Sequence, residues 1–127
     1  MRALRDSLAV GAGGAIGTVL RFLVEQAAPH LPGAALDVLT INLAGAFAIG
    51  IVMEIFFQRA HTPPHIRLAT TTGLLGGFTT FGTMMGQAAL LLRSGLLLQA
   101  ALFGAGEPLL GILLTLLGQG TARLMLP

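Results

Sequence analysis

The chain has 127 residues, 54% of them hydrophobic and only 9% charged. A soluble domain carries about 25% charged residues, so the composition excludes a water-soluble globular protein and points to a membrane protein. There is no cysteine, hence neither a disulfide framework nor a thiolate metal site; a net charge of +2 with no basic cluster excludes a nucleic-acid binder.

Four apolar segments follow one another, each near the roughly 20 residues that a helix needs to cross a bilayer. The first runs from about Ser7 to Ala28, with Arg21 and Glu25 one turn apart near its end. Its length and these internal charges argue against a signal peptide. The run from Gly11 to Gly17 has the wrong spacing for a dinucleotide loop, and no strand-helix-strand unit surrounds it. A Pro/Gly turn, Pro29 to Gly33, leads to segment two, about Ala35 to Phe57, which carries Asn42 in Leu39-Thr40-Ile41-Asn42-Leu43-Ala44-Gly45. The polar link His61-Thr62-Pro63-Pro64-His65 precedes segment three, about Leu68 to Leu92. Arg93-Ser94-Gly95 then makes an antiparallel hairpin with segment four, about Leu96 to Leu124. No repeat, low-complexity tract or second domain interrupts this pattern.

Arginine placement orients the chain. Arg2, Arg5, Arg59, Arg67 and Arg123 fall on the side of both termini, against Arg93 on the other, which predicts cytoplasmic termini. Glycines at small-xxx-small spacing, Gly13/Gly17, Gly73/Gly77 and Gly82/Gly86, predict close helix packing in lipid.

Four polar features inside the segments need a reason, because each is costly in hydrocarbon. Arg21 with Glu25 reads as an orienting pair that snorkels to the interface. Asn42 is either interhelical glue or a hydrogen-bond donor to an anion. In segment three, Gly76-Gly77-Phe78-Thr79-Thr80-Phe81-Gly82 predicts a helix break at the double glycine, near the middle of the span. Irregular backbone at that depth survives only where protein or a watery path covers it. Free carbonyls there suit a small cation, whereas amides, hydroxyls and the positive edge of a phenyl ring suit a small anion. Glu107-Pro108, mid-way along segment four, is either a neutral, hydrogen-bonded acid or a functional group. Nothing points to an enzyme. His30, His61 and His65 are expected in loops, and there is no Ser-His-Asp set and no pair of carboxylates at one site.

On these stretches the chain resembles the Fluc (CrcB) family of small fluoride channels over essentially its whole length. The residues that carry the resemblance are Gly13-Gly14-Ala15-Ile16-Gly17-Thr18-Val19-Leu20-Arg21-Phe22, then Ile41-Asn42-Leu43-Ala44-Gly45, then Thr71-Thr72-Gly73-Leu74-Leu75-Gly76-Gly77-Phe78-Thr79-Thr80-Phe81. The resemblance implies an all-α membrane protein with four transmembrane helices, the third broken mid-membrane, in an antiparallel dimer of dual-topology type. It implies passive fluoride export through two paths, in a bacterial-type inner (plasma) membrane. Asn42 matches the family's pore asparagine, Phe81 its first pore phenylalanine and Arg21 its first-helix arginine. Thr80, Thr83 and Thr115 would offer hydroxyls to fluoride. The backbone carbonyls of Gly76 and Thr79 would hold a structural sodium ion at the dimer centre.

The chain also departs from the family pattern. Met84 stands at the second pore phenylalanine, Gly82 and Met85 at two serines, Gln87 where Glu is common, and Gly111 at a fourth-helix serine. Glu107 has no expected counterpart. Three readings accommodate these departures beside a fluoride-conducting homodimer. The chain is one half of a heterodimer with an oppositely oriented homologue, which the arginine bias favours. Alternatively it is a relative that moves sodium or protons through Glu107, or an assembly subunit that conducts nothing.

Overall fold

The computed structural model describes residues 1–27 and 34–126. The turn expected at Pro29–Gly33, His30 within it, and the end of segment one at Ala28 lie outside the described residues. Among the described residues the protein is wholly helical. Its elements are α1 (Arg2–Ala27), α2 (Ala34–Gln58), α3 (64–78), α4 (Phe81–Arg93) and α5 (Leu97–Met125). Among the described residues, three helices are long and apolar enough to cross a membrane: α1, α2 from Asp37, and α5.

Local chemistry sets the ends of these elements. Pro64 opens α3, where its missing N–H is one that the first turn would leave unpaired anyway. His65 therefore lies in the first turn of a helix and not in a loop as expected. The α4–α5 turn is closed by Gly95 at φ 76°, with Gly95 N–H donating to Leu92 O and Leu96 N–H to Leu91 O. That pair of bonds is the Schellman arrangement, which favours glycine at the left-handed position. Two stretches widen to π-helix, Ala69–Leu75 in α3 and Leu102–Gly106 in α5. The second immediately precedes Glu107-Pro108, where the proline ring and its missing N–H disturb the α ladder.

The helices pack as two parallel pairs. Along α1 and α3, a methyl group at Gly13 would overlap the carbonyl oxygen of Ala69, and one at Gly17 that of Leu74. Along α2 and α5, a methyl at Gly50 would overlap Thr115 O, and one at Gly118 would overlap Phe47 O. Backbone meets backbone on both seams, as small residues allow in lipid, where dispersion replaces the hydrophobic effect. Gly82 and Gly86 differ: a methyl at either would meet nothing within 4 Å among the described residues, so the close packing expected there does not occur among them within one chain. The small core comprises Val38, Ile41, Leu75, Met84, Ala88, Ala100 and Ala122. Most large apolar side chains face outward, including Leu90, Leu109, Ile112, Leu113, Leu116 and Leu117. Such an exterior suits lipid or another apolar chain.

Candidate functional site

The break in the third segment is real, but it lies two residues beyond the double glycine. Gly76 is helical (φ −67°, ψ −33°), and α3 continues through Phe78. Thr79 (φ −84°, ψ 156°) and Thr80 (φ −144°, ψ 103°) are extended, and α4 begins at Phe81. The physical reason is the division of labour between residue types. Gly77 stays helical and lets α1 cross, since a methyl there would overlap Gly14 O. Thr80 is a good N-cap, its Oγ1 accepting from Thr83 N–H at 3.3 Å.

Asn42 holds the break open. Its Oδ1 accepts Thr80 N–H at 2.7 Å, and its Nδ2 donates back to Thr80 O at 3.2 Å. The backbone amide fixes which end of the side chain is oxygen. Nδ2 also donates to Glu107 Oε1 at 2.5 Å. In an unbroken helix Thr80 N–H would donate to Gly76 O and Thr83 N–H to Thr79 O. Both amides are diverted, the first to Asn42 and the second to the Thr80 hydroxyl. The break thus releases the two carbonyls of Gly76 and Thr79 from their helical partners. Gly45, one turn after Asn42, gives α2 its close approach, since a methyl there would overlap Thr79 Cγ2.

A cavity of about 350 Å³ opens beside the break. Asn42, Gly76, Thr79, Thr80, Phe81, Met84, Glu107 and Thr115 all line it, so most of the site residues expected from the sequence converge there. Phe81 is 70% exposed and presents its ring, whereas Met84 is buried. Thr115 Oγ1 lies 2.9 Å from Gly111 O and 3.0 Å from Ala46 O, so its proton is engaged by its own helix and by α2. Thr79 Oγ1 donates to Leu75 O at 3.0 Å, and the Thr80 and Thr83 hydroxyls pair at 2.9 Å.

Two expected residues sit elsewhere. Thr83 is outside the cavity lining and reaches it only through Thr80. Arg21 lies on the α1 side, where its Nε donates to Gly77 O at 3.5 Å and Nη1 meets Glu25 at 3.4 Å. It braces the last turn of α3 from behind, with Thr18 Oγ1 on the same carbonyl at 3.4 Å.

Sequence reasoning missed a second, wider cleft of about 570 Å³, lined by Glu54, Arg67, Gln119 and Arg123 among others. Ile49 and Thr71 line both cavities, so the two adjoin. Glu54 is buried and meets Arg123 Nε at 3.0 Å and Gln58 Nε2 at 3.2 Å. The Arg67 guanidinium lies 5.8 Å from the Phe56 ring centre. An acid near the end of α2 and an arginine near the end of α5 were the available signal, readable only once those helices are known to pack together.

Comparison with known proteins assigns the family. Residues 8–119 match the family model described as CrcB-like protein, Camphor Resistance (CrcB). A protein of Chlorobium phaeobacteroides named fluoride-specific ion channel FluC is 38% identical over 118 residues, covering 92% of each chain. The protein of that name in Aquifex aeolicus is 41% identical over 87% of this chain and 90% of its own. Its namesake in a Methylobacterium species is 41% identical over 84% and 87%. This chain is accordingly a multi-pass membrane protein of the CrcB-like family, whose matched members are named as ion channels and not as enzymes.

Proposed function

We propose that this chain is a fluoride channel subunit that lets fluoride leave the cell passively, driven by an inside-negative potential. The observation that carries the reading is the two-residue break at Thr79–Thr80, held by Asn42 beside a cavity with an exposed Phe81 ring. An anion in such a cavity meets a positively polarised ring edge and the spare hydroxyl proton of the Thr80–Thr83 pair, with little charge to trap it. The names of the relatives support the same ion.

The third segment completes the fourth crossing of this reading, with α3 and α4 together spanning the membrane. Two such chains form an antiparallel dimer in the cell's inner (plasma) membrane. Gly76, Phe81, Gly82 and Gly86 are exposed in the single chain, which is what a partner meeting the break would cover. The released carbonyls of Gly76 and Thr79 fit a structural sodium ion: they are hard oxygen ligands without helical amides, and a second chain supplies its own pair. Bound there, sodium would neutralise four carbonyl dipoles and fasten the two breaks together.

Purified protein in liposomes tests the function. Fluoride efflux from the chain alone is expected for a homodimer. The arginine bias favours a partner of opposite orientation, and efflux that requires co-expression with such a homologue identifies a heterodimer. Absence of efflux in both cases overturns the reading. The chain has no cysteine, so Ser94→Cys, in the exposed α4–α5 turn, tests topology cleanly. Labelling by an impermeant maleimide from both sides of the membrane is the expected result for dual topology, and labelling from one side alone refutes it.

A further inference from the structure

An account of hydrogen-bond donors around the 350 Å³ cavity leads to a residue that the fluoride reading leaves without a role. Both Nδ2 hydrogens of Asn42 are engaged, one by Thr80 O and one by Glu107 Oε1. The Thr80 N–H is held by Asn42, the Thr79 hydroxyl by Leu75 O, and the Thr115 hydroxyl by Gly111 and Ala46. The Thr80–Thr83 pair keeps one hydroxyl proton to spare. Among the lining side chains the other polar atom in play is Glu107 Oε2, beside the released carbonyls of Gly76 and Thr79, which can only accept. It is buried, it has no hydrogen-bond partner among the described residues, and it belongs to a residue 4% exposed that lines the cavity.

We propose that Glu107 in its acid form is a hydrogen-bond donor to the permeating anion, so that its proton sets whether the cavity admits fluoride. The Asn42 amide donates to Oε1, the carbonyl-like oxygen of the acid, which leaves the proton on Oε2, the atom without a partner. An O–H there faces an anion in a site poor in other free side-chain donors. After loss of the proton, Oε2 becomes an acceptor with a negative charge, which repels fluoride in a setting of low dielectric. No second charge disturbs this arrangement among the residues lining the cavity. From α2 the lining residues are Asn42, Leu43, Gly45, Ala46 and Ile49; from α3, Thr71, Leu75, Gly76 and, just past its end, Thr79. Thr80, Phe81 and Met84 line the α4 side, and Pro108, Gly111 and Thr115 belong to α5 itself. None of these titrates. This inference rests on the fluoride reading.

The test is fluoride efflux from liposomes across a pH series, with protein-free liposomes at each pH for the leak of neutral hydrogen fluoride. For the unaltered chain, with the opposite homologue if efflux requires it, the rate should fall as pH rises. The expected fall is roughly tenfold, the size of one hydrogen bond to a charged group. Glu107→Gln keeps an N–H donor and removes the titratable proton, so its rate should not depend on pH. Glu54→Gln, in the wider cleft, should keep the unaltered profile. A flat profile for the unaltered chain overturns the inference and leaves the fluoride reading standing. So does a Glu107→Gln profile that still falls with pH. The unaltered profile decides even where Glu107→Gln does not fold. Absence of fluoride efflux at every pH, alone and with the homologue, overturns the fluoride reading and this inference with it; sodium or proton flux in its place assigns Glu107 to a cation.

Discussion

Glu54 and Glu107 are both nearly sealed from solvent, at 6% and 4% exposure, and both lie on the parallel α2–α5 pair. Their surroundings differ in kind. Glu54 has Arg123 and Gln58 for partners and faces the wide cleft, where Arg67 adds a second positive charge. Glu107 has a single amide from Asn42, with its other oxygen unpaired beside the narrow cavity. A buried carboxyl beside an arginine is a structural ion pair. A buried carboxyl with a neutral partner and a spare oxygen is a polar group that the protein keeps at a cost, which is where function is expected. The two cavities adjoin at Ile49 and Thr71. An ion moving through both would pass from a positively lined cleft into a nearly uncharged one.

The comparison breaks most sharply at Asn42. Asn42→Ala strips Glu107 and both polar groups of the Thr80 backbone at once, and each buried group left unpaired costs about 1–3 kcal/mol. A marked drop in the thermal unfolding midpoint and loss of efflux are expected, with the wide cleft untouched. An unchanged midpoint would show that Asn42 is not what holds the break. Next comes Gly118→Ala, which presses on Phe47 O and forces α2 from α5 where both cavities are bounded. Overpacking of this kind costs about 1–3 kcal/mol. Gly86→Ala, with nothing near it in the chain, is the control for folding of the single chain. The smallest effect belongs to Arg123→Gln. Its side chain is 64% exposed but Glu54 is buried, so the loss falls on stability, with the Gln58 amide left to Glu54, and not on the narrow cavity. Efflux should change by less than about threefold, with no change in pH profile; a larger loss would mean that the wide cleft collects the anion by charge.

Much of the helical order is legible in the sequence, because hydrophobic length and turn chemistry are local. Gly95 marks its hairpin through the one left-handed position among the described residues; the start of α3 is less legible, since Pro64 and His65 read as part of a polar link and segment three as beginning near Leu68, a turn too late. The break is legible to within two residues. Glycine freedom pointed to Gly76-Gly77, whereas packing against α1 keeps both in the helix and threonine capping moves the break to Thr79–Thr80. The resemblance supplies Asn42 and Phe81. Neither local pattern nor resemblance reveals that Asn42 and Glu107 touch, since they lie 65 residues apart in the chain. The Gly50 and Gly118 contacts and the Glu54–Arg123 pair depend likewise on α2 and α5 being neighbours, which no local pattern encodes.

The π-helical stretch Leu102–Gly106 ends where Glu107 begins. Each residue in an α-helix advances the side-chain direction by about 100°, so the widened turn is a phase shift between the stretches on either side of it. After it, Glu107, Gly111, Thr115 and Gly118 follow at ordinary α spacing and share the face that meets α2. The shift is taken up by the stretch before it, Leu97–Ala101, which lies against α4. One helix thus offers two differently phased faces to two neighbours within a single membrane span.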